Sequence, residues 1–221
     1  METIKVESSR QIPRRFTGIA EYADGRKQWL LNGKRHRVDG PAIEYANGKK
    51  EWYLDGELHR VDGPAREWAD GTKSWWLNDK LHREDGPAIE CFDGTKQWFL
   101  NGKLHREDGP AWEGANGTKQ WYLDGKLHRE DGPAREWADG RKEWWLNGKI
   151  HRVDGPAIEF ANGRKDWWLN HFVIFTLEPI GEYLTIEDGL PSTTEWLGEP
   201  VSTLKVLTAE GIKYIPNLPG I

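Results

Sequence analysis

Cysteine is almost absent from this chain, and so are long apolar runs. Cys91 is the single cysteine among 221 residues, which excludes a disulfide framework and a cysteine-based zinc site. The longest apolar stretch, residues 172–177, is far shorter than the roughly 20 residues that a membrane-spanning helix needs. Residues 1–16 contain no apolar segment of the kind found in secretory signals. We therefore expect a soluble protein of the cytoplasm without a transmembrane segment.

Net charge of one sign is also missing from most of the chain. The formal charge is −5, and residues 172–221 account for all of it, with seven acidic side chains against two lysines. Residues 1–171 are therefore neutral and mix both signs, so they offer phosphate backbones no basic surface. We expect no nucleic-acid partner.

Tryptophan is abundant instead, and it recurs in a strict repeat. The chain has 14 Trp, and seven of them are 23 residues apart, at Trp29, Trp52, Trp75, Trp98, Trp121, Trp144 and Trp167. Six His keep the same step, as do six copies of Asp-Gly-Pro-Ala. Such a period indicates units that bury a core only by stacking. We interpret residues 1–15 as an N-terminal cap, 16–171 as seven repeats and 172–221 as a C-terminal cap that weakly resembles a leucine-rich repeat.

Each repeat has the sequence pattern of a β-hairpin. In the second repeat, two alternating runs flank Asn47-Gly48, and Asp55-Gly56 follows the second run. An Asx-Gly pair in this setting predicts a two-residue turn in which both turn residues have positive φ. Such a turn at Asn47-Gly48 would pair Tyr45 with Lys50 across the hairpin.

This register decides which side chains should face the core. It places Ile43, Trp52 and Leu54 on one face, and we expect Trp52, Leu54 and their equivalents to form a packed seam between successive hairpins. With strands ~4.8 Å apart, each repeat should rise about 10 Å and seven repeats should form a rod of about 70 Å. The predicted fold is all-β, an elongated solenoid of stacked β-hairpins with a small C-terminal capping region.

The repeat resembles a known family. The run from Trp52 to His59, followed by Gly63 and then by Trp68-Ala-Asp-Gly, resembles MORN repeats, which also run near 23 residues. The resemblance covers residues 16–171. It departs from the family at Lys50-Glu51, where MORN units have Tyr-x-Gly, and in the Asp-Gly-Pro-Ala corner, which is similar to arrays in large DNA viruses and bacteriophages. The resemblance implies a rigid hairpin strip that contacts proteins or lipids and has no catalytic residues.

The repeated polar residues are not spaced for chemistry. Equivalent His side chains should lie roughly 10 Å apart, whereas zinc needs its ligands ~2 Å from one centre. We expect His59 and Arg60 to tie the corner to Asp62 and to loop carbonyls. Glu44 and Lys50 recur in identical surroundings. Acid–base catalysis needs two carboxyl groups with different pKa values, which identical surroundings cannot provide. We therefore expect the repeated Glu and Lys to form a ladder of charge pairs. The sequence thus predicts no catalytic residue, no metal and no cofactor.

The candidate partner-binding residues come from two sets in the central repeats. One set is a row of bulky side chains on the face away from the Trp52 seam, which either packs across the rod or meets a partner. The other set consists of positions that vary between repeats. Packing requires the same residue in every repeat, so variable positions are better candidates for recognition. The candidates are Arg66, Trp76, Phe99, Trp112, Tyr122, Arg135 and Trp145.

Two functions fit this pattern. The first is a non-catalytic scaffold that binds another protein, which the viral and phage resemblance extends to a factor that sequesters or inhibits a host protein. The alternative is binding of cell-wall glycans through surface aromatic residues, because similar hairpins occur in bacterial cell-wall-binding repeats. The ends or edges of the rod would also offer contacts for a homo-oligomer.

Overall fold

The computed structural model describes residues 1–180 and the strands at 183–186, 200–201, 204–208, 211–215 and 218–219, with side chains described for 1–174 and for Thr176. In this part of the chain regular structure is almost entirely β, and the one helical element is the 3₁₀ helix Ser9–Gln11. The chain divides into two compact units, residues 1–115 and 116–221. The predicted all-β class and its consecutive hairpins are confirmed.

Most strands are only two residues long. In the first unit they are Thr3–Val6, Gly18–Tyr22, Lys27–Leu31, Lys34–Arg35, Ile43–Glu44, Lys50–Glu51, Tyr53–Leu54, Glu57–Leu58, Arg66–Glu67, Lys73–Ser74, Trp76–Leu77, Lys80–Leu81, Ile89–Glu90, Lys96–Gln97, Phe99–Leu100, Lys103–Leu104 and Trp112–Glu113. In the second unit they are Lys119–Gln120, Tyr122–Leu123, Lys126–Leu127, Arg135–Glu136, Lys142–Glu143, Trp145–Leu146, Lys149–Ile150, Ile158–Glu159, Lys165–Leu169, Phe172–Ile180, Tyr183–Ile186, Pro200–Val201, Leu204–Thr208, Gly211–Ile215 and Leu218–Pro219.

A repeat contains two hairpins. In the second repeat, Ile43–Glu44 pairs antiparallel with Lys50–Glu51 to form what we call the sheet hairpin. Its second strand pairs in turn with Arg66–Glu67 of the third repeat, so that these neighbouring sheet hairpins belong to one antiparallel sheet. After an interruption of one residue, Tyr53–Leu54 pairs with Glu57–Leu58 in a separate two-stranded sheet, which we call the side hairpin.

The two turns of a repeat close differently. At Asp55-Gly56, in the side hairpin, the predicted two-residue turn is confirmed, with φ values of 52° and 94°. At Asn47-Gly48, in the sheet hairpin, the prediction is wrong by one residue. Gly48 alone has positive φ (88°), and Tyr45 N donates to Lys49 O across a three-residue loop. This geometry is that of a type I turn followed by a glycine bulge.

A shift of one residue exchanges the two faces of a sheet. Ile43 lies opposite Glu51, and Tyr45 does not pair with Lys50. The buried cluster of the repeat comprises Ala42, Ile43, Tyr53 and Leu58. Trp52 and Leu54, by contrast, are only half-buried. The predicted Trp seam is therefore wrong as the main core, because the bulged turn places the residues next to Trp52 inside instead.

The alanine of each Asp-Gly-Pro-Ala corner is fully buried. These residues are Ala42, Ala65, Ala88, Ala111, Ala134 and Ala157, each with no exposed surface. The carbonyl of Ala88 accepts a hydrogen bond of 2.8 Å from the backbone N–H of Trp75 in the preceding repeat. A larger side chain has no room in such a site without displacing its neighbours.

The segment that precedes the first repeat pairs with a strand of that repeat. Thr3–Val6 pairs in parallel with Gly18–Tyr22, and Val6, Phe16 and Leu30 belong to one buried cluster. At the other end of the array, Phe172–Ile180 pairs with Lys165–Leu169. The prediction that residues 172–221 form a cap concerns side chains that lie mostly outside the described residues.

Candidate functional site

An arginine clasp occupies every corner of the array. The Arg83 guanidinium carbon lies 4.0 Å from the centre of the Trp75 ring. Its Nε donates to Asp85 Oδ1 (2.8 Å), and one terminal nitrogen donates to Pro87 O (3.2 Å) and to Glu90 Oε1 (2.9 Å). The hydrogen bond and charge of Arg83 lower the pKa of the Asp85 carboxyl. The predicted tie between the arginine and the corner aspartate is confirmed.

The same contacts recur in six copies, and they explain the corner motif. The distance from the arginine carbon to the Trp ring centre is 4.0–4.2 Å throughout, and the Nε to Asp distance is 2.8–3.1 Å. A Cβ on Gly86 would lie 2.9 Å from the Arg83 guanidinium carbon, so glycine leaves the space that the flat guanidinium fills. The constant residues thus serve the fold.

The repeated histidines link each side hairpin to the next. Asn101 N donates to Nδ1 of His82 (3.2 Å), and His82 Nε2 lies 3.6 Å from Glu84 Oε1. Asp55 N donates to His36 Nδ1 in the same way (3.1 Å). Among the described residues, no group of three or more His, Cys, Asp or Glu is placed to hold a metal ion.

Charged side chains alternate across the sheet, as predicted. Lys50 lies opposite Glu44 in its own hairpin and opposite Glu67 in the next, and Lys73 lies opposite Glu67 and Glu90. Directly opposed charges of opposite sign stabilise a pair of strands modestly. The repeating Glu and Lys therefore form a structural ladder.

A row of polar side chains lies inside the sheet, at the position before each repeated Trp. We call Gln28, Glu51, Ser74, Gln97, Gln120, Glu143 and Asp166 the interior polar row. Five of them are at most 5% exposed, which sequence reasoning missed. An alternating strand pattern predicts polar residues outward, and the one-residue shift in register turns this position inward.

Glu51 shows how a charge is accommodated there. It is 3% exposed, yet its oxygens lie 2.8 Å from Lys49 Nζ and 3.2 Å from Arg66 Nε, and they accept hydrogen bonds from the hydroxyls of Tyr45 (3.2 Å) and Tyr53 (3.3 Å). Burial by itself would raise the pKa of Glu51, but the hydrogen bond and charge of Lys49, with Arg66, bring it below its ordinary value. Burial and the Glu51 carboxylate raise the pKa of Tyr45.

Glu143 repeats this arrangement in the second unit. It is 3% exposed and accepts from Trp145 Nε1 (2.9 Å), and it lies 2.6 Å from a terminal nitrogen of Arg141 and 3.5 Å from one of Arg135. Arg66 and Arg135, two of the predicted partner-binding residues, thus each compensate a buried glutamate.

Three more of the predicted residues contact or lie opposite the interior polar row. Trp76 Nε1 donates to Ser74 Oγ (2.6 Å), and Tyr122 OH donates to Gln120 Oε1 (2.9 Å). Trp112 lies opposite Gln97 across the strands. All seven predicted residues, namely Arg66, Trp76, Phe99, Trp112, Tyr122, Arg135 and Trp145, are half-buried. Their contact with a partner stays a prediction.

Phe92 stands out on the exposed side of the sheet-hairpin turns. It is 71% exposed, in a turn position where the other six repeats have alanine: Ala23, Ala46, Ala69, Ala115, Ala138 and Ala161. Its backbone N–H donates to Thr72 Oγ1 of the preceding turn (3.2 Å), so the turn is anchored while the ring projects. Among the described residues, exposed Val38 and Val61 are smaller, and scattered ones are ordinary, whereas Phe172, which is 64% exposed, lies after the last repeat and outside the hairpin turns. Aligning the repeats by their Ala-Asx-Gly turns reveals Phe92 from sequence.

No protein-family model matches the chain, and no curated protein matches its sequence. Within the described residues, no helix is both long and apolar enough to span a membrane. Function must therefore be inferred from the side chains that the fold leaves exposed.

Proposed function

We propose that this protein is a non-catalytic repeat scaffold that binds another protein, with Phe92 at the centre of the contact. The exposed Phe92 ring carries this proposal. A large aromatic side chain that is 71% exposed gains most from burial in a partner, and aromatic residues are enriched among the energetic centres of interfaces. The turn itself does not require an aromatic ring, since alanine occupies the same position in six repeats.

The use of the constant residues inside the protein supports the same proposal. Every Trp of the corner clasps has one ring face covered by a guanidinium, at 4.0–4.2 Å. Trp76, Tyr122 and Trp145 direct their polar atoms to the interior polar row. The aromatic surface that glycan stacking would need is thus largely occupied, which favours a protein over the glycan alternative. The resemblance to MORN repeats agrees, and its viral and phage variants extend the proposal to a host protein in the cytoplasm.

The experiment compares wild type with Phe92→Ala. Both proteins, tagged, are used to purify partners from cells that naturally contain the chain, and each retained protein is then produced pure and titrated by calorimetry. We expect at least one protein whose affinity falls by about 2 kcal/mol or more in the variant, as at interface hot spots. A glycan array run in parallel tests the alternative. Equal affinity of both forms for every partner, or binding to glycans alone, contradicts the proposal.

A further inference from the structure

The Phe92 turn and the turn before it differ in charge from the turns of the first two repeats. In the first two repeats a cation follows the turn and lies over an aromatic ring: Arg26 is 3.7 Å from the Tyr22 ring centre and Lys49 is 5.0 Å from that of Tyr45. In the third and fourth repeats the same position holds Thr72 and Thr95. The hydroxyl oxygens of these two residues accept backbone N–H groups of the next turn, so no cation borders Phe92 from this position.

Two exposed carboxylates, one in the Phe92 turn and one in the turn before it, have no basic partner among the described residues. Asp70 and Asp93 accept hydrogen bonds from the backbone N–H groups of Thr72 and Thr95 (2.8 Å each), which fixes their place in the turns. Neither forms an ion pair in the part of the chain that the structure describes. Burial, together with the charges of Asp93 and Asp70, raises the pKa of the Cys91 thiol, so both carboxylates act on the residue next to Phe92.

We propose that Phe92, Asp70 and Asp93 bind a protein surface in which an apolar pocket is bordered by lysine or arginine. This inference rests on the proposed function and adds the chemistry of the partner. The ring supplies the buried anchor, and the carboxylates supply rim charges that select a basic partner and speed its association. A second copy of this chain does not fit, because facing Phe92 surfaces would bring four carboxylates together.

The probe is a phage-displayed library of random 12-residue peptides, selected on the immobilised full chain. We expect enriched peptides that combine apolar residues with Lys or Arg. Their affinity should fall by about tenfold or more with Phe92→Ala. The peptide affinity should also fall in the double variant Asp70→Asn/Asp93→Asn. Raising the salt from about 50 to about 500 mM should weaken peptide binding to the wild type but not to this double variant. Unchanged melting temperatures confirm that each variant is folded.

A transplant variant separates the two proposals. Phe92→Ala/Ala46→Phe moves the ring to the second repeat, where Asp24 remains in the place of Asp70 but Asn47 replaces Asp93, and where Arg26 and Lys49 replace the two threonines. We expect this variant not to recover peptide binding. Recovery, or enriched peptides that lack basic residues or bind the Asp70→Asn/Asp93→Asn variant equally well, overturns the basic-partner inference and leaves the proposed function standing. Equal binding to Phe92→Ala overturns both.

Discussion

The Asp-Gly-Pro-Ala corner and the sheet-hairpin turn lie in the same 23-residue repeat, yet they differ in how constant their residues are between repeats. The corner keeps Arg, Asp, Gly, Pro and Ala in six copies, and each of the Arg83 contacts recurs in the others. The sheet-hairpin turn has the sequence Ala-Asx-Gly in six repeats and departs from it once, at Phe92, whose side chain is exposed. The corner residues are constant because they pack inside the fold, whereas an exposed residue that departs from the repeat, such as Phe92, is free to contact a partner. Five predictions test this comparison, beginning with the interior of the sheet.

The largest effect is expected at the buried Glu51–Arg66 pair. Glu51→Ser alone should cost about 3 kcal/mol of unfolding free energy, because Arg66 keeps a half-buried charge without its partner. Glu51→Ser/Arg66→Ile copies the Ser74–Ile89 pair that occupies the equivalent place one repeat later, and it should lie within about 1 kcal/mol of wild type. Denaturant unfolding of the full chain measures both. Additive losses would show that the two side chains are not coupled.

Removing one corner clasp should have the next largest effect. Arg83→Ala deletes the hydrogen bonds to Asp85, Pro87 and Glu90 and uncovers the Trp75 ring, at a cost of about 2–3 kcal/mol. Arg83→Lys keeps the charge but not the planar, stacked donor set, so it should lose an intermediate amount. A lysine variant as stable as wild type would mean that charge alone matters at the corner.

A smaller loss is expected from a methyl group at the clasp. Gly86→Ala should cost about 1–2 kcal/mol, since its Cβ would lie 2.9 Å from a guanidinium held by several hydrogen bonds. In an Arg83→Ala background the same change should cost almost nothing more, because the obstructing group is gone. An equal loss in both backgrounds would place the requirement for glycine in the backbone rather than in the clasp.

Acid should weaken the corners in a defined window. The arginine beside each of Asp62, Asp85, Asp108, Asp131 and Asp154 lowers the pKa of its carboxyl from 3.8. A lowered pKa in the folded state means that the stabilisation is present above pH 3.8 and is lost as the pH falls below it. Melting temperatures measured from about pH 5 to about pH 2 test this, because the corner aspartates titrate within that range. Asp85→Asn should have a smaller decline than wild type over the same interval.

The sequence predicted the architecture well because its signals are local. The 23-residue period and the Asx-Gly pairs required stacked hairpins, and the nearness of Arg60 to Asp62 indicated the corner tie. Register was predicted at Asp55-Gly56 and missed at Asn47-Gly48, although both have an Asx-Gly pair. The backbone N–H of Asp55 donates a hydrogen bond to His36 Nδ1 of the preceding repeat, a long-range contact that the local sequence does not reveal.

The interior polar row and the exposed ring were missed for related reasons. A two-residue turn at Asn47-Gly48 would place Glu51 on the outer face and leave Arg66 free for recognition, whereas the three-residue loop buries Glu51 beside Arg66. Phe92 lies in a turn, and the alternating pattern of the strands carries no information about turn residues. An alignment of the seven turns would have shown it, since Phe92 is the one departure from alanine there.

The most direct test of the division between corner and turn is the unfolding free energy of Phe92→Ala measured beside that of Arg83→Ala. The exposed Phe92 ring has no structural role in this account, so its loss should change stability by less than about 0.5 kcal/mol, whereas Arg83→Ala should lose several times more. Denaturant unfolding of the full chain with a common slope gives both values. A loss in Phe92→Ala as large as that in Arg83→Ala would contradict the account, because the ring would then belong to the fold.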